Sequence, residues 1–260
     1  MALVNAHFYS EVLSQNVTCE VILPESARIG EARRKNPPVL WLLHGGSDDQ
    51  TMWQRNTSIE RYLAPLGMAA VMPFAEFSGY RNQVHGSGRY YDYMTKELPV
   101  VMHDLFGLST AREDNFIAGL SMGGNGSLKF AMANPEKYAA VGCMSAGFFD
   151  HEVPLDAKHL DPEKDKQFWM WFEGREIAGS EDDMLENARK IIREGKPVPR
   201  VYHTCGADDH IKRIAYRTKA FFESFEGNPF DYVYEEDPGK HTWDYWDEHI
   251  RRFLGYIGKK

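Results

Sequence analysis

Short apolar runs recur along this 260-residue chain with helix-like stretches between them, and that rhythm restricts the fold more than any other feature. The runs read VTCEVILP from Val17, PVLWLLHGG from Pro38, AAVMPF from Ala69 and NFIAGLS from Asn115, then AAVGCMSAG from Ala139, RVYHTCG from Arg200 and FDYVYEE from Phe230. An earlier run, AHFYSEVL from Ala6, fits an edge strand. From Val39 onward the runs are nearly continuously apolar rather than alternating, as strands covered on both faces require. Strand and helix in alternation then predict an α/β fold: a doubly wound, mostly parallel sheet of about eight strands.

The rhythm breaks between Phe148 and Pro199, where one strand-to-helix step needs far fewer residues. We therefore expect one domain over 1–260 with an inserted cap segment over 148–199. Within that segment GSEDDMLENARKIIREGKP reads as a helix. Ser180 and Asp183 form a capping box, Met184, Leu185, Ala188, Ile191 and Ile192 an apolar stripe, and Gly195 and Pro197 the stop.

Composition narrows the partners. A net charge of -8 with no basic patch in any window argues against nucleic acid, whose phosphates need concentrated positive charge. No run approaches the roughly 18 apolar residues of a spanning helix, and MALVNAHFYSEVLSQ has no basic leader, so no membrane association and a cytoplasmic location are expected. Cys19, Cys143 and Cys205 are an odd number of thiols inside apolar runs, which reads as buried free cysteines in a reducing compartment.

The stretch FIAGLSMGGNGSLKF, Phe116 to Phe130, places a serine among four glycines between a strand and a helix. A serine hydroxyl is a weak nucleophile, useful only when it is exposed, next to a general base, and facing donors for the oxyanion that forms. In Gly119-Leu120-Ser121-Met122-Gly123 the strand turns so sharply into the helix that side chains at the glycine positions would clash. The turn leaves the Met122 amide at the helix N-terminus, where negative charge is stabilised. A second element, LLHGGSDD, puts His44-Gly45-Gly46 after an earlier strand, where the other oxyanion amide is expected, and we assign that amide to Gly46. His44 reads as a structural residue that holds the loop.

The acid and base should follow in that order, each in a loop after a strand. Gly206-Ala207-Asp208-Asp209 follows RVYHTC, and Asp237-Pro238-Gly239-Lys240-His241 follows FDYVYEE. Asp209 would orient His241, and His241 would take the Ser121 proton and deliver it to the leaving alcohol. His249, in an apparent helix, and His210, beside the acid, are the weaker bases. HTCGADDH gathers His203, Cys205, Asp208, Asp209 and His210 without a familiar zinc spacing, so no metal is expected.

Across nearly its whole length the chain resembles the esterase family that includes esterase D, S-formylglutathione hydrolases and tributyrin-esterase-like bacterial carboxylesterases. The likeness rests on FYSEVL with VTCEVILPE, LLHGGSDDQTMWQRNTSIERYL, YYDYMTKELPVVM, FIAGLSMGGNGSLKFAMANPEKYAAVGCMSAG, YHTCGADD and HTWDYWDEHI. It implies an α/β-hydrolase fold, hydrolysis of short acyl esters without a cofactor, and Ser121, His241 and Asp209 as nucleophile, base and acid, with Asp208 the runner-up acid. A small-molecule ester is the implied partner; homo-oligomerisation stays open. Feruloyl, cinnamoyl or acetyl esters of plant carbohydrate, and a thioester such as S-formylglutathione, are the alternative substrates. One departure is Gly46, where close relatives usually carry a bulkier residue. Tyr91, Trp169 and Trp243 are the aromatics expected to line the ester pocket, with Tyr90 and Trp171 behind them.

Overall fold

The computed structural model describes residues 1–25, 35–86, 88–148, 163–164, 166–172 and 174–258, apart from the side chains of Gln167, Phe168 and Trp169. Eight strands are present among them: β1 (Ala2–Ser10), β2 (Gln15–Leu23), β3 (Val39–Leu43), β4 (Ala69–Pro73), β5 (Asn115–Leu120), β6 (Ala140–Met144), β7 (Arg200–Thr204) and β8 (Val233–Glu235). They form one sheet in the order β1-β2-β4-β3-β5-β6-β7-β8. β1 pairs antiparallel with β2, and β2 antiparallel with β4; every pair from β4 to β8 is parallel.

The uninterrupted apolar runs have a direct structural cause. Val39, Trp41 and Leu43 point into a core layer shared with the helices Leu98–Phe106, Met122–Ala133, Met184–Arg193 and Lys212–Glu223. Leu40 and Leu42 point into the opposite layer, filled by Trp53, Ile59 and Leu63 and by Trp246, Ile250 and Phe253 of the last helix, Trp243–Ile257. β3, β4 and β6, covered on both faces, are therefore apolar and buried along their whole length, whereas β1, at the sheet edge, alternates in exposure.

Strand order also fixes where a site can form. The chain leaves β3 toward β4 but leaves β5 toward β6, so the connections diverge and open a crevice at the carboxyl ends of β3 and β5. His44-Gly45-Gly46 follows the first of these strands and Ser121 the second.

The segment predicted as a cap is partly outside the described residues, which omit 149–162, 165 and 173. Its described portion is fastened to the Ser121 helix through buried charge. The Asp182 carboxylate lies 2.9 Å from Arg81 Nε, 3.4 Å from Lys129 Nζ and 3.3 Å from Arg175, and Lys129 also donates to the carbonyls of Gly79 and Tyr80. This cluster revises the predicted capping box. The helix starts at Met184 with Asp183 as its cap, accepting the Glu186 N–H at 3.3 Å. Ser180 instead closes the preceding turn, donating to Ile177 O and accepting from the Asp182 N–H. Short hydroxyl side chains compete for local backbone groups in this way, and the buried Asp182 needs the turn.

Candidate active site

Ser121 stands on the turn between β5 and the helix Met122–Ala133 with φ 50° and ψ -118°, a positive-φ conformation that a non-glycine residue adopts only under strain. Its N–H donates to Met144 O at 2.9 Å, and its carbonyl accepts the Asn125 N–H at 3.0 Å. The neighbouring glycines let the helix press against the sheet. A Cβ on Gly123 would lie 2.6 Å from His44 O and closer still to Leu43 O, and both of those atoms are backbone. Gly123→Ala is thus expected to lose about 2–3 kcal/mol of stability, a fall in Tm of roughly 5 °C or more by calorimetry. An unchanged midpoint would contradict the packing argument.

The β3 loop is held from behind. His44 is buried; its Nδ1–H donates to Gly45 O at 2.7 Å, and its Nε2 accepts the Ala75 N–H at 3.0 Å. Burial lowers its pKa, so the ring stays neutral and structural. Gly45 donates its N–H to Asp48 Oδ2 at 3.2 Å. The amides of Gly46 and Met122 make no hydrogen bond within the described residues, as the first amides of a helix and a donor loop open to the cleft would. Beside Gly46 the ring of Phe77 occupies the space that a side chain there would need, and Phe77 in turn meets Trp171 edge-on at 5.8 Å. Phe77 fills the volume left by the small residue at position 46.

On the far side of the cleft two loops are laced together. Ala207 and Asp208 donate their N–H groups to the carbonyls of Asp237 and Gly239 at 3.0 and 2.9 Å. The lacing brings His241 Nδ1 to 3.0 and 3.1 Å from the two carboxylate oxygens of Asp209. Asp209 is 1% exposed. Burial alone would raise its pKa, but hydrogen bonds from His241, the Ile211 N–H and the Ser145 hydroxyl outweigh it and hold the carboxyl below its usual range. Ser145 also accepts the Trp246 indole N–H at 2.9 Å, and the Trp246 ring meets His241 edge-on at 5.0 Å. The imidazole is thereby fixed from two sides.

Ser121 and His241 line one cleft of about 340 Å³ together with Gly45, Gly46, Trp243 and Trp246. A hollow of about 380 Å³ beside Trp41, His103 and Tyr138 lies toward the opposite end of β5, remote from Ser121. Of the alternatives weighed in the sequence, Asp208 is exposed, and His210, 71% exposed, holds Nδ1 3.5 Å from Asp209 Oδ1 and its ring 4.6 Å from that of His241 but does not line the cleft. His249 is buried in the last helix and bonded to Tyr202. His203 has both ring nitrogens engaged, by Tyr232 and Ala146 O. Two groups of potential metal ligands exist among the described residues, Asp209 with His210 and His241, and Glu235 with Asp237 and His249. The first is the hydrogen-bonded Asp209–His241 pair with the exposed His210 Nδ1 3.5 Å from Asp209 Oδ1, and the guanidinium of Arg252 spans both carboxylates of the second.

The aromatic expectations divide. Trp243 lines the cleft, standing edge-on to Trp53 and Trp246. Tyr91 does not, and this corrects the sequence reading: its hydroxyl accepts from Asn134 Nδ2 at 3.0 Å and its ring packs on Phe130, at the end of the helix farthest from Ser121. The Trp169 side chain lies outside the described residues. Sequence reasoning missed Trp246, Phe77 and Asp48. Asp48 was within reach, since it stands two residues beyond Gly46 in the same loop; Phe77 and Trp246 are brought in only by folding.

A serine at the strained exit of a central parallel strand, sharing a cleft with a histidine paired to a buried carboxylate, places the chain among serine hydrolases of the α/β-hydrolase fold. Comparison with known proteins gives the family. The model of the family described as "Putative esterase" matches residues 10–257, and the chain belongs to that family. It is 25% identical over 266 residues to an acetyl esterase of Caldicellulosiruptor saccharolyticus, covering 100% of this chain and 99% of that one. Among solved structures it is similar to the fluorophosphonate-binding serine hydrolase F (FphF) of Staphylococcus aureus, with TM-score 0.86, 30% identity and coverage of 100% and 99%. It is also similar to the S-formylglutathione hydrolase FrmB of that organism, with TM-score 0.81, 32% identity and coverage of 98% of each chain. The protein is an esterase of the carboxylic ester hydrolase class. No helix among the described residues is long and apolar enough to cross a membrane.

Proposed function

We propose that this protein hydrolyses short-chain acyl esters through an acyl-enzyme on Ser121, with His241 as the base, Asp209 as its orienting acid and the amides of Gly46 and Met122 as the oxyanion donors. The observation that carries the reading is the 3.0 Å pairing of His241 Nδ1 with the buried Asp209 carboxylate at the cleft that Ser121 lines. With Nδ1–H given to Asp209, Nε2 is the free acceptor for the serine proton. Oγ adds to the ester carbonyl, the developing oxyanion meets the two unpaired amides, and the protonated His241 gives its proton to the departing alcohol. Water then repeats the sequence on the acyl-enzyme: His241 takes a proton from it, the carboxylic acid leaves, and Ser121 is restored. A cleft of about 340 Å³ suits a small acyl group better than a long chain. Three buried free thiols suit a reducing compartment such as the cytoplasm.

The likeness to FrmB favours a second reading, a thioester substrate such as S-formylglutathione. Aryl esters of increasing acyl length, assayed beside S-formylglutathione on the purified protein, separate the two. The first reading expects kcat/KM highest for acetate or butyrate; a clear preference for the thioester favours the second, and turnover of neither contradicts both.

A further inference from the structure

The cleft holds a carboxylate that this reaction scheme does not use. Asp48 Oδ2 accepts the Gly45 N–H at 3.2 Å, and the Asp48 N–H closes the turn onto Gly45 O. The same Oδ2 lies 2.9 Å from the position of a Cβ on Gly45, a point itself 3.7 Å from Ser121 Cβ. The charge therefore stands within two van der Waals contacts of the reacting serine. Asp48 is half-buried and lines the cleft, where, among the described residues, His241 is the one basic side chain and no lysine or arginine appears in the lining. Among the described residues, the charged groups that act on it are Asp49, on its own loop, and His241 across the cleft. Trp243 and Trp246 supply the facing aromatic wall.

A substrate carboxylate brought here would meet a like charge in a partly desolvated site, with no lysine or arginine among the described lining residues to pair with, while a cationic group would meet a carboxylate and indole rings. Resting on the serine-esterase reading above, we propose that Asp48 is a specificity-determining residue: it makes the cleft accept esters that are neutral or cationic near the reacting bond and discriminate against those that carry a carboxylate there. S-formylglutathione, which is anionic, falls on the disfavoured side. The alternative is that Asp48 merely closes its turn, and Asp48→Asn distinguishes the two. The asparagine oxygen still accepts the Gly45 N–H, so the loop keeps its shape while the charge is gone.

The test compares kcat/KM at about pH 8, where a carboxyl is ionised, for acetates of three phenols: 4-hydroxybenzamide, 4-hydroxybenzoate and (4-hydroxyphenyl)trimethylammonium. A second pair, the acetate and the succinate half-ester of 4-hydroxybenzamide, probes the acyl side. Leaving-group differences cancel when each ratio is compared between wild type and variant. Asp48→Asn is expected to shrink the cationic-to-anionic ratio, the acetate-to-succinate ratio, or both, by about tenfold, whatever the change for the neutral acetate. The wild-type ratios should also fall as sodium chloride is raised to about 0.5 M, a measurement that stands even if the variant does not fold. Ratios that stay within about twofold of wild type in the variant, or wild-type ratios indifferent to salt, overturn the proposal while leaving the esterase reading intact. If the wild type hydrolyses none of these acetates, the esterase reading itself fails, and this proposal with it.

Discussion

Ser121→Ala is expected to lower kcat for an aryl acetate by about 10⁴- to 10⁶-fold while leaving Tm within a degree or two of wild type, as steady-state kinetics and calorimetry would show. The two halves of that expectation have separate causes. On the proposed scheme no acyl-enzyme forms without Oγ, and whatever rate remains is that of water attacking an ester held by the proposed oxyanion amides and the cleft walls. Stability is insensitive because the Ser121 hydroxyl makes no hydrogen bond among the described residues; the turn is fixed by backbone bonds to Met144 and Asn125 and by the glycines around it. His241→Ala should cost a similar amount of rate. The double variant should be no worse than either single, because in the proposed mechanism nucleophile and base act as one unit and removing either already removes the covalent route.

Asp209→Asn is expected to lower kcat by about 10³- to 10⁴-fold with little change in KM. Asp209 accepts from His241 Nδ1, which obliges that nitrogen to carry the proton and leaves Nε2 free toward the cleft. An asparagine can turn its amide N–H toward Nδ1, stabilising the opposite tautomer, with the proton on Nε2, where it cannot accept from the serine. The imidazolium that forms in the reaction also loses its counter-charge. The same substitution predicts a signature in stability. Because the folded-state pKa of Asp209 is held below the unfolded value, its carboxylate contributes stability that is present above the ordinary carboxylate pKa, about 3.9, and is lost as pH falls through the lower folded value. The stability gap between wild type and Asp209→Asn should therefore close in acid and stay open near neutrality. A gap that widens on acidification would contradict the sign of that shift.

Much of this architecture was legible in the chain because it is written in short-range periodicity. Two-faced burial forces uninterrupted apolar runs at Val39–Leu43 and Ala140–Met144, and a serine turn packed against backbone forces the glycines at 119 and 123. The loops bearing Asp209 and His241 were found because each follows its strand at once. What escaped depends on contacts between distant segments. Lys129 sits in a helix whose sequence does not announce that its amine is buried, and its partner Asp182 belongs to a different segment. Ser180 and Asp183 satisfy the spacing of a capping box, yet the helix starts at Met184 with Asp183 itself as the cap, while Ser180 bonds within the preceding turn. The chain at Tyr80 and Arg81 is buried against the helix that follows Ser121, and Tyr91 lies at the other end of that helix. The FDYVYEE run pairs only over Val233–Glu235, since Asp231 takes a left-handed conformation that extended pairing cannot accommodate.

The central claim is that Ser121 is a live nucleophile, activated by His241 and facing unpaired amides. Labelling of the purified native protein with a fluorophosphonate, followed by peptide mass spectrometry, tests it most directly. The account predicts one equivalent of phosphonylation, on the peptide that carries Ser121, blocked by prior heat unfolding and sharply slowed in His241→Ala. An unlabelled native protein, or label recovered on another residue while Ser121 stays free, would contradict it.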